Sequence, residues 1–193
     1  MRSRATNLPN MLTYARIVAV PLVVLCFFIE GTLKGTDVAR WWALFFFVAA
    51  SITDFFDGYL ARAWQQTSTI GRMLDPIADK LLVAAALLVL AADGTIAGWS
   101  IWAAIIILCR EILVSGLREY LAELKVSVPV TRLAKWKTTV QMIAIGFLLA
   151  GPAADKIVSH TTQAGIVLLW FSALITLYTG YDYFRAGLRH IDD

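Results

Sequence analysis

Four aspartates fall in two pairs within one short stretch of the chain: Asp54 and Asp57, three residues apart, and Asp75 and Asp79, four apart. On helices both spacings put the members of a pair on one face. If the two helices pack as neighbours, four carboxylates converge. An all-oxygen donor set of that charge suits hard divalent cations, Mg2+ or Mn2+, which keep coordination places for substrate phosphates. Two such ions would match four negative charges. A two-metal clamp on a pyrophosphate neutralises the oxygens of the departing phosphate and polarises the centre under attack. The plainer alternative is capping, since Asp75 before Pro76 reads as a helix N-cap with proline at the first helical position. Capping leaves Asp54, Asp57 and Asp79 unexplained. Zinc is not indicated, because His160 and His190 fall at a predicted outer loop and in the C-terminal tail without ligand spacing.

The elements that must position these acids are membrane helices. The chain has 193 residues, 59% of them hydrophobic and only 16% charged, against about 25% charged in soluble domains. Its mean hydropathy is +0.70. Hydrophobic segments run over roughly 11–29, 41–63, 76–92, 97–120, 136–152 and 163–184, separated by short loops that include Asp93-Gly94 and Gly151-Pro152. The expected fold is an all-α integral membrane bundle of six transmembrane helices, one domain over residues 1–193. No internal repeat is evident, which weakens an inverted-repeat transporter. The polar stretch from Met1 to Asn10 followed by a long apolar run does not fit a cleavable signal. Cys26 and Cys109 both lie inside apolar runs and are expected to be small core residues.

Orientation follows from Lys and Arg. With the N-terminus cytoplasmic, all of the 17 except Lys34, Arg40 and Lys156 fall at inner ends. That collar explains the net charge of +3 without nucleic acid as a partner. Trp41, Trp42, Trp99 and Trp102 then lie at outer ends as interfacial belt residues. Several spans run short on the inner side. Trp41 to Thr53, Leu81 to Ala92 and Thr138 to Ala150 hold 13, 12 and 13 uncharged residues, or about 18–20 Å of a hydrocarbon layer about 30 Å thick. An uncompensated charge at the bilayer centre costs about 2.5–3.5 kcal/mol. Acids and cations at that depth must therefore line a polar cavity in the inner third, open to the cytoplasmic side.

Read together, Asp54, Asp57, Gly58, Ala61, Arg62, Gly71, Asp75 and Asp79 form the pattern D-x2-D-G-x2-A-R-x8-G-x3-D-x3-D. This resembles the signature of the CDP-alcohol phosphotransferase family at every defined position, and eight fixed residues make it specific. The resemblance implies a phospholipid-synthesis enzyme in the bilayer, a homodimer, that transfers the phosphatidyl group of CDP-diacylglycerol with CMP leaving. It implies that Asp54, Asp57 and Asp75 hold two divalent cations, Mg2+ or Mn2+. Gly58, Ala61 and Arg62, with Asp54, would border the cytidine nucleotide. Asp79 would share in metal binding and act as general base on the acceptor hydroxyl. The opening of the first segment is also similar to members of this family, so Asn10, Thr13 and Arg16 are candidates to line the cavity. Capping by Asn10 and a snorkelling Arg16 are the ordinary alternative.

The signature does not choose the acceptor alcohol. A second cluster bears on it: Arg110 and Arg118 on the fourth segment, Lys135 and Lys137 opening the fifth. The two arginines lie about 80° apart round a helix and can border one pocket, whereas Lys135 and Lys137 point to different sides. Such a pocket suits a phosphate-bearing acceptor better than a neutral or cationic alcohol. Positive-inside topology and anionic lipid are the alternative reading of these cations. These stretches are most similar to bacterial members of the family acting on sn-glycerol 3-phosphate at the cytoplasmic face of the inner membrane. The nearest alternative is the same chemistry with another acceptor, inositol phosphate, or phosphatidylglycerol for cardiolipin. Outside the class, a divalent-cation transporter also gathers buried aspartates.

Overall fold

In hydrocarbon a chain satisfies its backbone hydrogen bonds within each segment, so each apolar run closes into one helix. A computed structural model describes residues 8–32, 37–64, 69–124 and 132–188, and side chains over 11–29, 37–53, 73–124, 133 and 136–185. Six helices follow in order: α1 Leu8–Thr32, α2 Val38–Trp64, α3 Thr69–Ala92, α4 Ser100–Glu123, α5 Arg132–Asp155 and α6 Thr161–Leu188. Helix is the only regular structure among the described residues. Four stretches are long and apolar enough to cross a membrane: Met11–Ile29, Ser100–Glu123, Trp136–Asp155 and Thr161–Arg185. In α2 only Val38–Thr53 is continuously apolar. The first half of α3 is interrupted by Arg72, Asp75, Asp79 and Lys80. Two of the short spans read from the sequence are thus the helices that carry the acids, whereas the third, Thr138 to Ala150, lies within a stretch of α5, Trp136–Asp155, that is long enough to cross.

Among the described residues both of these helices pack on α1 and on α5. α1 lies against both α2 and α3, α5 against α6 and α2, and α4 against α6. Alanines at 43, 86, 103, 144 and 173 are buried between the helices, letting backbones approach closely enough for dispersion to hold them where lipid offers no hydrophobic drive. Phe47, Leu82, Leu87, Ile107, Leu148 and Leu169 fill the remaining space and are at most 1% exposed.

The structure corrects one expectation about helix ends and refines another. α3 begins at Thr69, so Asp75 is not its N-cap, and Pro76 and Gly71 both lie inside the helix. Proline deletes one intrahelical bond, tolerable near a helix start whose polar surroundings re-satisfy the carbonyl. The Gly151-Pro152 pair does interrupt the fifth helix with a kink, Gly151 taking the non-helical φ 36° and ψ −123°, and a short helical turn follows as far as Asp155. Only glycine takes that φ without strain.

The same kink sits over Arg40, whose Nη1 lies 3.0 Å from where a Cβ on Gly151 would stand. Counted from the sequence as an outer-loop cation, Arg40 instead belongs to α2 and is 4% exposed. It pairs with Asp93 and hydrogen-bonds Thr95 at 3.2 Å, both in the turn after α3. Its guanidinium lies 5.2 Å from the Phe27 ring of α1. Arg40 therefore ties α1, α2, α3 and the bend of α5 at one end. Nearby, Asp155 caps α6, accepting from the Thr162 N–H at 3.0 Å and the Thr162 hydroxyl at 2.5 Å. Trp41, Trp42, Trp99 and Trp102 are exposed at this end, where a belt is expected. Cys26 is buried but Cys109 is exposed on α4, against the expectation of a core position, on a face it shares with the exposed Trp102, Ile105, Ile112 and Leu113.

Candidate active site

At the opposite end, α1 meets the first acids of α3. The Thr13 hydroxyl donates to Asp75 Oδ1 at 2.6 Å. Thr13 and Arg16, one turn apart on α1, are each 1% exposed. Arg16 therefore does not snorkel; its guanidinium sits within the bundle. Asp79 follows Asp75 by four residues on the same face of α3. Asp54, Asp57, Gly58, Ala61 and Arg62 fall in the inner half of α2, which packs on α1 as α3 does. Their side chains, with those of Asn10 and Lys135, lie outside the described residues. Among the described residues no group of three or more metal-ligating side chains assembles. Asp75 and Asp79 fit a hard cation by donor chemistry, offering carboxylate oxygens one turn apart in a partly exposed setting.

Beyond Asp79 the site turns toward α4 and α5. Asp79, Lys80, Val83, Glu111, Thr138 and Gln141 line one narrow cleft of about 20 Å³. Lys137, 3% exposed, forms an ion pair with Glu111 and lies within the field of Asp79 as well. Lys80 donates to the Ser115 hydroxyl and so links α3 to α4. A buried ammonium beside a carboxylate is tolerable where its loss of hydration is offset by that pairing.

Arg110 is held from α6. Its Nε donates to the Thr176 carbonyl and its Nη2 to the Thr179 hydroxyl, both at 3.2 Å, while Nη1 stays 3.7 Å from Glu111 Oε1. Gly180 makes that crossing possible, because a Cβ there would lie 2.9 Å from Arg110 Cγ. Two turns on, Arg118 is exposed, with its guanidinium 5.8 Å from the Tyr183 ring of α6. Of the four cations singled out in the sequence, the structure gathers Arg110 and Lys137 around Glu111, and sets Arg118 apart against α6.

Several of these residues escape sequence reasoning. Glu111 was visible beside Arg110, but its partner Lys137 is 26 positions away on another helix. Gln141 carried a usable signal, lying four residues after Lys137 and hence on its face of α5. Thr176, Thr179 and Gly180 form a small polar face on α6 whose meaning depends wholly on Arg110 reaching it.

Comparison with known proteins matches this arrangement to a class. The sequence model of the CDP-alcohol phosphatidyltransferase family matches residues 6–178. The chain belongs to the CDP-alcohol phosphatidyltransferase family and is an integral membrane enzyme. It is similar to three bacterial proteins, each named CDP-diacylglycerol–glycerol-3-phosphate 3-phosphatidyltransferase. That of Rickettsia bellii is 47% identical over 184 residues, 95% of this chain and 97% of the relative. Those of Cereibacter sphaeroides and Escherichia coli K12 are each 38% identical, covering 97% of this chain and 98% of the relative.

Proposed function

We propose that this enzyme transfers the phosphatidyl group of CDP-diacylglycerol to sn-glycerol 3-phosphate, giving phosphatidylglycerophosphate and CMP. The observation that carries the acceptor is the cleft on which Asp79 and Glu111 both open, with Arg110 and Lys137 flanking Glu111. As it stands the cleft has room for about one water, so it has to widen for an acceptor whose phosphate lies by these cations and whose hydroxyl reaches Asp79. In the reaction the acceptor oxygen bonds to the phosphorus that bears diacylglycerol. The bond from that phosphorus to the oxygen of CMP breaks, and the hydroxyl proton passes to the Asp79 carboxylate. Asp54, Asp57, Asp75 and Asp79 are the residues that would hold two divalent cations, Mg2+ or Mn2+, which supply charge neutralisation on the pyrophosphate. Thr13 orients Asp75 for that task through its hydrogen bond. In this reading Gly58, Ala61 and Arg62, with Asp54, would border the nucleotide, Lys135 would add positive charge on the acceptor side, and Arg118, two turns beyond Arg110, would act on the acceptor at longer range. Arg16 is buried at the inner end with Thr13, and Asn10 would join them in lining the cavity.

The working unit is a homodimer of single-domain chains spanning residues 1–193 in a bacterial inner membrane, with the site facing the cytoplasm. Purified protein given CDP-diacylglycerol, Mg2+ and a panel of acceptors tests this reading. CMP release with glycerol 3-phosphate, and not with inositol phosphate or phosphatidylglycerol, is the expected outcome. Turnover of another alcohol with inertness toward glycerol 3-phosphate overturns the acceptor, and metal flux into liposomes without nucleotide overturns the class of activity.

A further inference from the structure

We infer that Gln141 determines acceptor specificity, its side-chain amide receiving the acceptor hydroxyl adjacent to the one that reacts. The inference rests on the proposed transfer to glycerol 3-phosphate. Gln141 is 2% exposed, and its Oε1 has no hydrogen-bond partner among the described residues. Buried acceptors left without a partner are rare in folded proteins, and each one calls for an explanation. Ser172 Oγ and Thr176 Oγ1 are in the same condition, but neither borders the cleft. Gln141 does, lining it together with Thr138 of α5, Asp79 and Lys80 of α3 and Glu111 of α4.

Position along α5 gives the orphaned oxygen a use. Lys137 and Gln141 are four residues apart on one helix face, about 6 Å along the axis, and both are buried. A phosphate held near Lys137 and Arg110 therefore directs its carbon chain along α5 past Gln141, with Asp79 on the opposite wall. Glycerol 3-phosphate carries two hydroxyls on that chain. One loses its proton to Asp79; the other takes the place of the single water for which the cleft beside Gln141 has room, once the cleft widens to admit the acceptor. An amide can accept from that hydroxyl and donate to it. Sites built to hydrogen-bond a substrate hydroxyl reject analogues that lack it, because the protein group is then left unpaired.

The test compares sn-glycerol 3-phosphate with 3-hydroxypropyl phosphate, which keeps the phosphate and the reacting hydroxyl and lacks the middle one. The wild-type enzyme is expected to favour glycerol 3-phosphate, and Gln141→Leu to shrink that ratio of kcat/KM values by about 10-fold or more. The KM for CDP-diacylglycerol reports that the rest of the site is intact. Gln141→Glu keeps an acceptor oxygen and is expected to retain most of the preference, which covers the case in which the leucine variant fails to fold. A wild-type enzyme indifferent to the missing hydroxyl, or an equal loss for both acceptors in Gln141→Leu, overturns the inference and assigns Gln141 to a structural or water-mediated contact. Wild-type turnover of neither acceptor instead removes the reading on which the inference rests.

Discussion

Replacing Gly180 by alanine adds a single methyl group on α6 and is expected to strike at the acceptor site through Arg110. That methyl would stand 2.9 Å from Arg110 Cγ, 3.3 Å from Nε and 3.7 Å from Cδ, where ordinary contact is 3.4–4 Å. The arginine stem must retreat by several tenths of an ångström along its length. Its two bonds to Thr176 and Thr179 are already 3.2 Å long, so they have little margin before breaking. A hydrogen bond to a charged group contributes about 1.5–3 kcal/mol, and the loss of one such bond corresponds to roughly 10- to 150-fold. Steady-state CMP release, with each substrate varied in turn, reads the effect. The KM for glycerol 3-phosphate should rise by about 10-fold or more while that for CDP-diacylglycerol holds. Thr179→Val removes one of the two bonds without a clash and should give a smaller rise in the same direction, with Thr179→Ser close to wild type. A folded Gly180→Ala enzyme with unchanged KM for the acceptor, or equal rises for both substrates, refutes the claim that α6 sets Arg110 for the acceptor.

Three further outcomes are expected. Asp79→Asn should abolish CMP release while CDP-diacylglycerol still binds, since the base is lost and most carboxylates remain; near-normal turnover would remove the general-base assignment. Arg118→Ala should raise the KM for glycerol 3-phosphate more than that for CDP-diacylglycerol, whereas equal changes would point to its contact with Tyr183 as purely structural. Arg40→Ala should lower the unfolding midpoint in detergent micelles by roughly 3–10 °C, from about 1.5–3 kcal/mol of lost charged hydrogen bonding. An unchanged midpoint would mean that the pairing with Asp93 contributes nothing net.

The sequence made the helices and the acids legible because both signals are local. A run of apolar residues reads as a span whatever it packs on, and the spacing of Asp75 and Asp79 gives a shared face once α3 is granted. Asp75 before Pro76 misled because an N-cap and a mid-helix proline share the same dipeptide, and only the continuation back to Thr69 separates them. Gly151-Pro152 is ambiguous for a similar reason, since a bend and a loop use the same residues. Arg40 was counted as topogenic although it is buried, because its partners in the turn after α3 come together with it only in the folded bundle. Glu111, Gln141 and Gly180 belong to contacts between helices and carry little signal one residue at a time.

The fastening built on Arg40 has a consequence for how the enzyme can change. It gathers four of the six helices at the belt end, and the carboxylates of α3 lie toward the other end of the same rods. Rods pinned at one tip have their free tips spaced by the angle at the pin. Substitutions in the turn after α3 or at the α5 bend, although remote from any substrate, therefore act as a vernier on the separation of the reacting groups.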